Sequence, residues 1–219
     1  MSRSGLRAAL AKLPPLLSAA ERLNDAQRWL RWRLARPPFP PGDELRLNLG
    51  CGDTDAAGFV NVDARPGRHV HRVQRIDRLR GFGDDSASLI YVSHCLEHVS
   101  HVQVPAVLRE WRRVLKPGGI LRISVPDFDL LVDTYLATGR DMRSVQLPLM
   151  GGQDYPFNFH YTSFNAAELS RLLVEAGFRS PRRWQHGGDA FSSLPDWSGR
   201  SMTYHGKAYP VSLNIEAVK

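Results

Sequence analysis

The chain has 219 residues, of which 42% are apolar and 23% charged, and its net charge is +7. These values are typical of one globular domain of ordinary size, and no apolar run is long enough to span a bilayer. The N-terminus lacks the continuous apolar core of a secretory signal, and two cysteines give no disulfide framework, so we expect a cytoplasmic protein.

The positive charge is concentrated near the N-terminus. Residues 1–40 contain eight basic and two acidic side chains, whereas the rest of the chain contains 21 basic and 20 acidic ones. A nearly neutral body argues against nucleic acid as a partner. The sequence therefore predicts a basic helical arm over residues 1–41 and one further domain over residues 42–219.

The arm contains a predicted amphipathic helix, LLSAAERLNDAQRWLRWRL, which ends before the proline-rich stretch RPPFPPGDE. Two interpretations of this helix are open. Arginines beside Trp29 and Trp32 suit an anionic membrane surface, which would place the protein peripherally at the inner face of the membrane. In the second interpretation, which an apolar stripe favours, the helix packs on the body. The stripe consists of Leu16, Ala20, Leu23, Leu30 and Leu34.

The body alternates between predicted strands and helices. Strand patterns occur in ELRLNL, GFVNVD, VHRVQRID, SASLIYVS, ILRISVPD and YPVSLNIEAVK. Helix patterns occur in VPAVLREWRRVL, FDLLVDTYLA and AAELSRLLVEAG, the last with Asn165 as its cap, and residues 139–162 are predicted to be irregular. This order predicts an α/β fold, a doubly wound, mostly parallel sheet with helices on both faces.

A glycine turn follows the first strand in RLNLGCGDTDAAGFVNVD. Gly50 and Gly52 allow the backbone to approach a ligand closely, and Asp63 ends the next strand eleven residues after Gly52. A carboxylate there can accept hydrogen bonds from two ribose hydroxyls, and Asp77, after the third strand, is placed to meet an adenine amino group. The third glycine and the acidic residue of the dinucleotide fingerprint are missing, which argues against a nicotinamide-dependent oxidoreductase.

Five motifs together resemble those of class I S-adenosylmethionine-dependent methyltransferases. They are LNLGCG, NVD, DDSASLIYVSHCLEHV, LREWRRVLKPGGILRISVPD and ELSRLLVEAGF, in this order. The resemblance covers about residues 44–218 and is to a small bacterial group often found with polysaccharide-synthesis enzymes. It implies a Rossmann-like sheet that ends in an antiparallel strand, S-adenosylmethionine as the cofactor, and Gly50, Cys51 and Gly52 beside the methionine part.

The resemblance also implies roles for the residues that follow the other strands. Asp63 would hold the ribose, Asp77 would face the adenine, and Ser93 and His94 would flank the sulfonium. The sequence departs from the family pattern at residues 53–55, where Asp-Thr-Asp stands in the region of the usual third glycine.

Methyl transfer is an in-line displacement that needs positioning and, for a hydroxyl acceptor, a base. Histidine is the natural base near neutral pH, and spacing would place His94, His98 and His101 on one helical face. A metal site has suitable ligand types there, but we expect His101 to be solvated and His98 to satisfy a helix N-terminus, and we assign no metal. His94 is the first candidate base, with a positioning role as the alternative.

Two further candidate bases come from other segments. Asp127 ends the fifth strand, where it either faces the site or caps the following helix. His160 lies in GGQDYPFNFHYT, whose aromatic residues predict a folded lid over the acceptor, and GGDAFSSLPDWSGRS would line the opposite wall. These groups suit a small-molecule or carbohydrate acceptor. The alternative is a non-catalytic S-adenosylmethionine-binding or scaffold protein, which would require a closed acceptor pocket.

Overall fold

The computed structural model describes the backbone of residues 19–219 and the side chains of residues 26–219. Nine strands are formed in this part of the chain. They are β1 (Leu45–Leu49), β2 (Val60–Asp63), β3 (Arg72–Val73), β4 (Ala87–Ser93), β5 (Leu115–Pro126), β6 (Arg179–Arg183), β7 (Ser201–Tyr204), β8 (Lys207–Pro210) and β9 (Ser212–Val218). The longer helices are α1 (Ala19–Leu34), α2 (Val104–Val114), α3 (Phe128–Ala137), α4 (Gln146–Met150) and α5 (Ala166–Glu175).

Seven strands form one sheet in the order β3-β2-β1-β4-β5-β9-β6, and β7 and β8 form a separate hairpin. β9 is antiparallel to both of its neighbours, while β1 to β5 pair in parallel. The predicted fold, a mostly parallel Rossmann-like sheet with an antiparallel C-terminal strand, is confirmed. The strand order reverses between β1 and β4, which is where sheets of this kind bind ligands.

One face of the sheet is covered by α2 and α5. Helical spacing places Val104, Val107, Leu108 and Trp111 of α2 on one stripe, and all four are buried against the sheet. The N-terminus of α5 is capped as the sequence predicts, because the Asn165 side chain accepts a hydrogen bond from the amide of the third helical residue at 3.0 Å.

The other face carries an aromatic cluster. Phe59 and Tyr91 are fully buried there beside Leu194, with Phe191 packed against Phe59. The residues that cover this cluster come mainly from the irregular segment 184–198, whereas the sequence predicts helices on both faces. A large aromatic surface can be closed by loop side chains when they supply aromatic and leucine contacts.

Three other differences from the predicted elements affect the site. β3 is only two residues long, so Asp77 lies four residues beyond its end. The stretch predicted to be irregular contains α4 and a short 3-10 helix, Met142–Ser144. β5 begins directly after α2, because buried Leu115 already pairs with Ala87 of β4.

The two edges of the sheet are β3 and β6. β6 has the sequence Arg-Ser-Pro-Arg-Arg, and its Arg182 is paired with Glu216 of β9 at 2.8 Å. α1 lies near the β3 edge, where Trp32 Nε1 donates to the Val70 carbonyl at 2.6 Å and Arg36 Nε donates to the His71 carbonyl at 3.1 Å.

The apolar stripe predicted for the arm is not used for packing in the described residues. Leu30 and Leu34 are exposed, and the helix contacts the body through Trp32 instead. Leu16 and the side chains of Ala20 and Leu23 lie outside the described residues. Within residues 19–219, no helix combines the length and the apolar character needed to cross a membrane.

Candidate active site

A cavity of about 960 Å³ opens at the carboxyl ends of β1, β2 and β4. This volume is within the range of ordinary small-molecule sites. Its lining includes Gly50, Cys51, Gly52, Asp63, Asp77, Ser93, His94 and His160. The structure therefore brings together every candidate site residue named from the sequence except Asp127.

The turn after β1 requires glycine at Gly50. Its φ is +65°, and a Cβ there would collide with Cys95 Sγ. The amides of Gly50 and Cys51 both donate to the Val62 carbonyl, at 2.8 and 3.1 Å, which holds the turn against β2. Glycine at this position therefore lets the Cys95 side chain pack directly against the turn, with its Sγ 3.3 Å from the Gly50 carbonyl oxygen.

Asp63 anchors the same turn from the end of β2. Its two carboxylate oxygens accept hydrogen bonds from the amides of Gly52 at 2.9 Å and Arg65 at 2.8 Å. The side chain still lines the cavity although only 8% of the residue is exposed. Each oxygen thus has a lone pair left for a ligand hydroxyl.

The neighbouring positions are more constrained than the sequence indicates. Asp77 lines the cavity, but its carboxylate is paired with Arg75 at 2.8 Å. Ser93 also lines the cavity, and its buried hydroxyl has no hydrogen-bond partner among the described residues. In place of a third glycine, Asp55 accepts a hydrogen bond from Asn61 Nδ2 at 3.0 Å and so ties the turn to β2.

The three histidines predicted to share a helical face do not lie on one helix. Only residues Leu96–His98 are helical, as one 3-10 turn, and His94 has a φ of +50° before it. A helical spacing cannot continue across a residue in the left-handed region, so that prediction was wrong. His101 is exposed, as expected.

His94 is held at both ring nitrogens. The Ser212 hydroxyl donates to the Trp197 carbonyl at 2.7 Å, so its oxygen must accept the proton of His94 Nε2, which lies 2.8 Å away. The other nitrogen, Nδ1, lies 3.4 Å from Oε1 of Glu97.

Glu97 is the main functional candidate that the sequence analysis missed. Its carboxylate is buried, with 1% of the side chain exposed, and also lies 3.9 Å from Nε2 of His160. Burial raises the pKa of the Glu97 carboxyl, but the His94 ring at 3.4 Å and the nearby His98 and His160 outweigh burial and lower that pKa overall. The glutamate of the LEH motif was the available signal, although its partner His160 is distant in sequence.

His98 and His160 form an edge-to-face pair with ring centroids 4.8 Å apart. His98 Nδ1 lies 3.0 Å from the Phe159 carbonyl, and His160 Nδ1 lies 2.9 Å from the Pro148 carbonyl. His98 therefore ends its short helix and contacts the lid, rather than satisfying a helix N-terminus. Burial is the main cause that lowers the pKa of His160 below its ordinary value.

Asp127 does not line the cavity. It is 2% exposed, its carboxylate accepts a hydrogen bond from the Asp129 amide at 3.2 Å to cap α3, and Arg183 lies 3.6 Å away. Burial is the main cause that raises the pKa of its carboxyl. The helix cap was the alternative role in the sequence, and the structure supports that role in place of the predicted base.

The lid and the opposite wall complete the cavity. Tyr155 of the lid stacks beneath the Arg65 guanidinium at 4.4 Å, and the Tyr161 amide donates to the Glu97 carbonyl at 2.8 Å. Across the cavity, Trp197 lies 6.0 Å from the His94 ring, centroid to centroid. Residues of the predicted lid and of the predicted wall both line the cavity, which is partly open to solvent.

Comparison with known proteins identifies the family of this chain. A family profile described as "Methyltransferase domain" matches residues 27–180, more than half of the chain. The chain belongs to this methyltransferase domain family. The match confirms the S-adenosylmethionine-dependent methyltransferase predicted from the five motifs, but not the smaller group associated with polysaccharide synthesis. It also argues against the oxidoreductase alternative.

A curated relative of the methyltransferase domain comes from Mycolicibacterium smegmatis and is named a probable S-adenosylmethionine-dependent methyltransferase. It is 27% identical over 150 residues, which are 60% of this chain and 51% of the relative. The chain thus spans about half the length of the curated relative that it matches.

Solved structures show the same fold. A SAM-dependent methyltransferase from Archaeoglobus fulgidus superposes with a TM-score of 0.52 at 16% identity, covering 88% of this chain and 94% of the other. A 1,6-didemethyltoxoflavin-N1-methyltransferase from Burkholderia thailandensis was solved with bound 1,6-didemethyltoxoflavin and S-adenosylhomocysteine. It superposes with a TM-score of 0.50 at 19% identity, covering 99% of this chain and 83% of the other.

Proposed function

We propose that the protein is an enzyme that transfers the methyl group of S-adenosylmethionine to a small polar acceptor. The proposal rests on one observation, which is that two groups of residues line the same cavity. The glycine turn and Asp63 lie at one end, and a buried histidine and glutamate group lies at the other. The family membership supports the cofactor end of this assignment.

The cofactor would lie across the carboxyl ends of β1, β2 and β4. Its methionine part would pass the turn at Gly50, Cys51 and Gly52, and Asp63 would accept hydrogen bonds from the ribose hydroxyls. Arg75 donates two hydrogen bonds to Oδ2 of Asp77, so Asp77 would meet the adenine through its other oxygen, Oδ1.

The sulfonium would then face the carboxyl end of β4. Ser93 and His94 line the cavity there, and the free hydroxyl of Ser93 can accept or donate a hydrogen bond to the cofactor. Positioning of the methyl carbon against the acceptor supplies most of the catalysis in a reaction of this kind.

We propose a sugar hydroxyl as the acceptor, in a surface polysaccharide or its precursor. Support comes from the aromatic side chains of the lid and wall, Tyr155, Phe157, Phe159 and Trp197, together with Arg200, which line the acceptor end. Flat aromatic faces bind the apolar faces of sugar rings, and polar groups between them orient the hydroxyls.

The hydrogen bonds of His94 and His160 suggest a different role for each of these candidate bases. His94 keeps its proton on Nε2 and directs Nδ1 towards Glu97, so we assign it to positioning. His160 donates Nδ1–H to a carbonyl, which leaves Nε2 as a basic lone pair at the cavity. Its lowered pKa keeps this nitrogen unprotonated near neutral pH, as a base requires.

The test is a screen of sugars, nucleotide sugars and small polar metabolites with S-adenosylmethionine labelled on the methyl group. Once an acceptor is found, His160→Ala should lower kcat by about 10²–10⁴-fold. His94→Ala should lower kcat with little change in S-adenosylhomocysteine affinity, and exposed His101→Ala is the matched control. Wild-type turnover by both cavity variants would exclude a histidine base.

The non-catalytic alternative makes a different prediction for the same preparation. A scaffold protein would bind S-adenosylhomocysteine but label no acceptor in any extract from cells that express it. The cavity is partly open to solvent rather than closed, which argues against this alternative.

For the arm, we propose peripheral contact with an anionic membrane surface. Trp29, Leu30 and Leu34 of α1 are exposed together with Arg28 and Arg31, which is the composition that binds an anionic interface. Binding of the full chain to vesicles with anionic lipid in low salt, lost when residues 1–36 are deleted, would support it. Equal binding by both proteins would refute it.

A further inference from the structure

Glu97, His98 and His160 meet beneath the lid. One ligand-type atom from each residue lies within 4.8 Å of the other two. The glutamate is buried, and His160 is 9% exposed at its side chain. His98 and Glu97 are adjacent in one 3-10 turn, whereas His160 is brought to them by the lid.

The hydrogen bonds of the two rings fix which nitrogens carry protons. A backbone carbonyl is only an acceptor, so Nδ1 of His98 must donate to Phe159 and Nδ1 of His160 must donate to Pro148. In the neutral ring the proton is then on Nδ1, and Nε2 is a lone pair. A carbonyl on the far nitrogen is also how metal-binding histidines are usually oriented.

The centre of the cluster therefore contains acceptors without donors. Neither oxygen of Glu97 has a hydrogen-bond partner of good geometry among the described residues. A buried carboxylate 3.9 Å from the lone pair of His160 Nε2 is unfavourable unless positive charge lies between them. His94 supplies part of that charge only if it is protonated, and it approaches from one side at 3.4 Å.

We propose that Glu97, His98 and His160 form a binding site for one divalent transition-metal ion. Two imidazole nitrogens and one carboxylate are a common catalytic ligand set for Zn²⁺ and Fe²⁺, and nitrogen ligands disfavour Mg²⁺ and Ca²⁺. Metal bonds of about 2.0–2.2 Å require the three groups to close around the ion by a small side-chain movement. All three residues line the cavity.

An ion at this position has a consequence for the reaction, which rests on the function proposed above. A hydroxyl bound to a divalent ion loses its proton far more easily than a free hydroxyl. The acceptor oxygen would then be activated by the metal, with His160 as its ligand rather than as a free base. From the sequence no metal is assigned, because His101 is expected to be solvated and His98 to have a structural role. No sequence pattern indicates that His160 meets the turn at residues 96–98.

The test measures metal binding without any acceptor. The purified full chain is stripped with a chelator, then titrated with Zn²⁺ by calorimetry and with Co²⁺ by visible absorption. We expect one ion per chain with a dissociation constant below about 1 μM, and a Co²⁺ spectrum of a site with nitrogen ligands. Each of Glu97→Gln, His98→Ala and His160→Ala should weaken binding at least 100-fold, and His101→Ala should leave it unchanged.

Two outcomes would overturn the proposal. One is no binding of Zn²⁺ or Co²⁺ at 50-fold excess over the stripped protein, whose fold is verified by its thermal transition. The other is binding that His101→Ala weakens as much as the cluster variants do, which would assign the ion to the surface. Because S-adenosylhomocysteine binding is measured on the same samples, failure of the metal site is distinguishable from failure of the proposed methyltransferase activity.

Discussion

Asp63→Asn tests the cofactor assignment most directly. In the structure each carboxylate oxygen of Asp63 already accepts one amide proton, from Gly52 and from Arg65, and has one lone pair left for a ribose hydroxyl. Hydrogen bonds to a charged group contribute about 1.5–3 kcal/mol each, against about 0.5–1.5 kcal/mol for neutral pairs. Asparagine keeps the shape but loses the charge and one acceptor oxygen.

The expected loss of binding free energy is about 1.5–3 kcal/mol, which corresponds to an increase in Kd of about 10- to 150-fold. Calorimetric titration with S-adenosylhomocysteine measures it, and Asp84→Asn, an exposed aspartate that does not line the cavity, is the matched control. A Kd equal to that of the control, with unchanged thermal stability, would refute the placement of the ribose at Asp63. Measurable NAD binding with no S-adenosylhomocysteine binding would refute the cofactor itself.

Three further changes have defined outcomes. Gly50→Ala should lower the thermal midpoint more than Gly52→Ala. Both residues have positive φ, but only a Cβ at position 50 would collide with Cys95. Equal decreases of the midpoint would contradict the predicted collision. Burial is the main cause that lowers the pKa of His71, so the unfolded chain binds more protons than the folded chain in acid. The free energy of unfolding should therefore decrease as the pH is lowered below about 6.5. His71→Gln should flatten that dependence in denaturation curves, and an unchanged slope would exclude this residue. Deleting residues 1–36 should leave S-adenosylhomocysteine affinity within about threefold, since the arm precedes every residue of the cavity; a larger loss by calorimetry would show that α1 supports the site.

The half of the cavity that we assign to the cofactor could be located from the sequence because its signals are local. The alternating leucines of β1, the following glycines and Asp63 at the end of β2 lie within nineteen residues of one another. Parallel strands bring such ends together whatever the rest of the chain does. Asp77 also lines the cavity, but the sequence did not indicate that β3 ends four residues before it or that Arg75 pairs with its carboxylate.

The half that we assign to the acceptor could not be built from the sequence because its contacts join distant segments. Glu97 and His160 are separated by more than sixty positions, and only the folded lid brings them together. The spacing of His94, His98 and His101 indicated a helix, but the positive φ of His94 places its ring against β9 instead. Periodicity carries no information on such local reversals of the backbone.

The composition of β6 has a consequence for how copies of this protein meet. An outer strand normally offers unpaired amides and carbonyls to any other strand, which is a route to aggregation. Here one outer strand contains Pro181 and three arginines, and the opposite one, β3, is only two residues long. Repulsion between like charges and the missing proline amide both oppose strand addition, so any self-association is expected to use a surface other than the sheet edges.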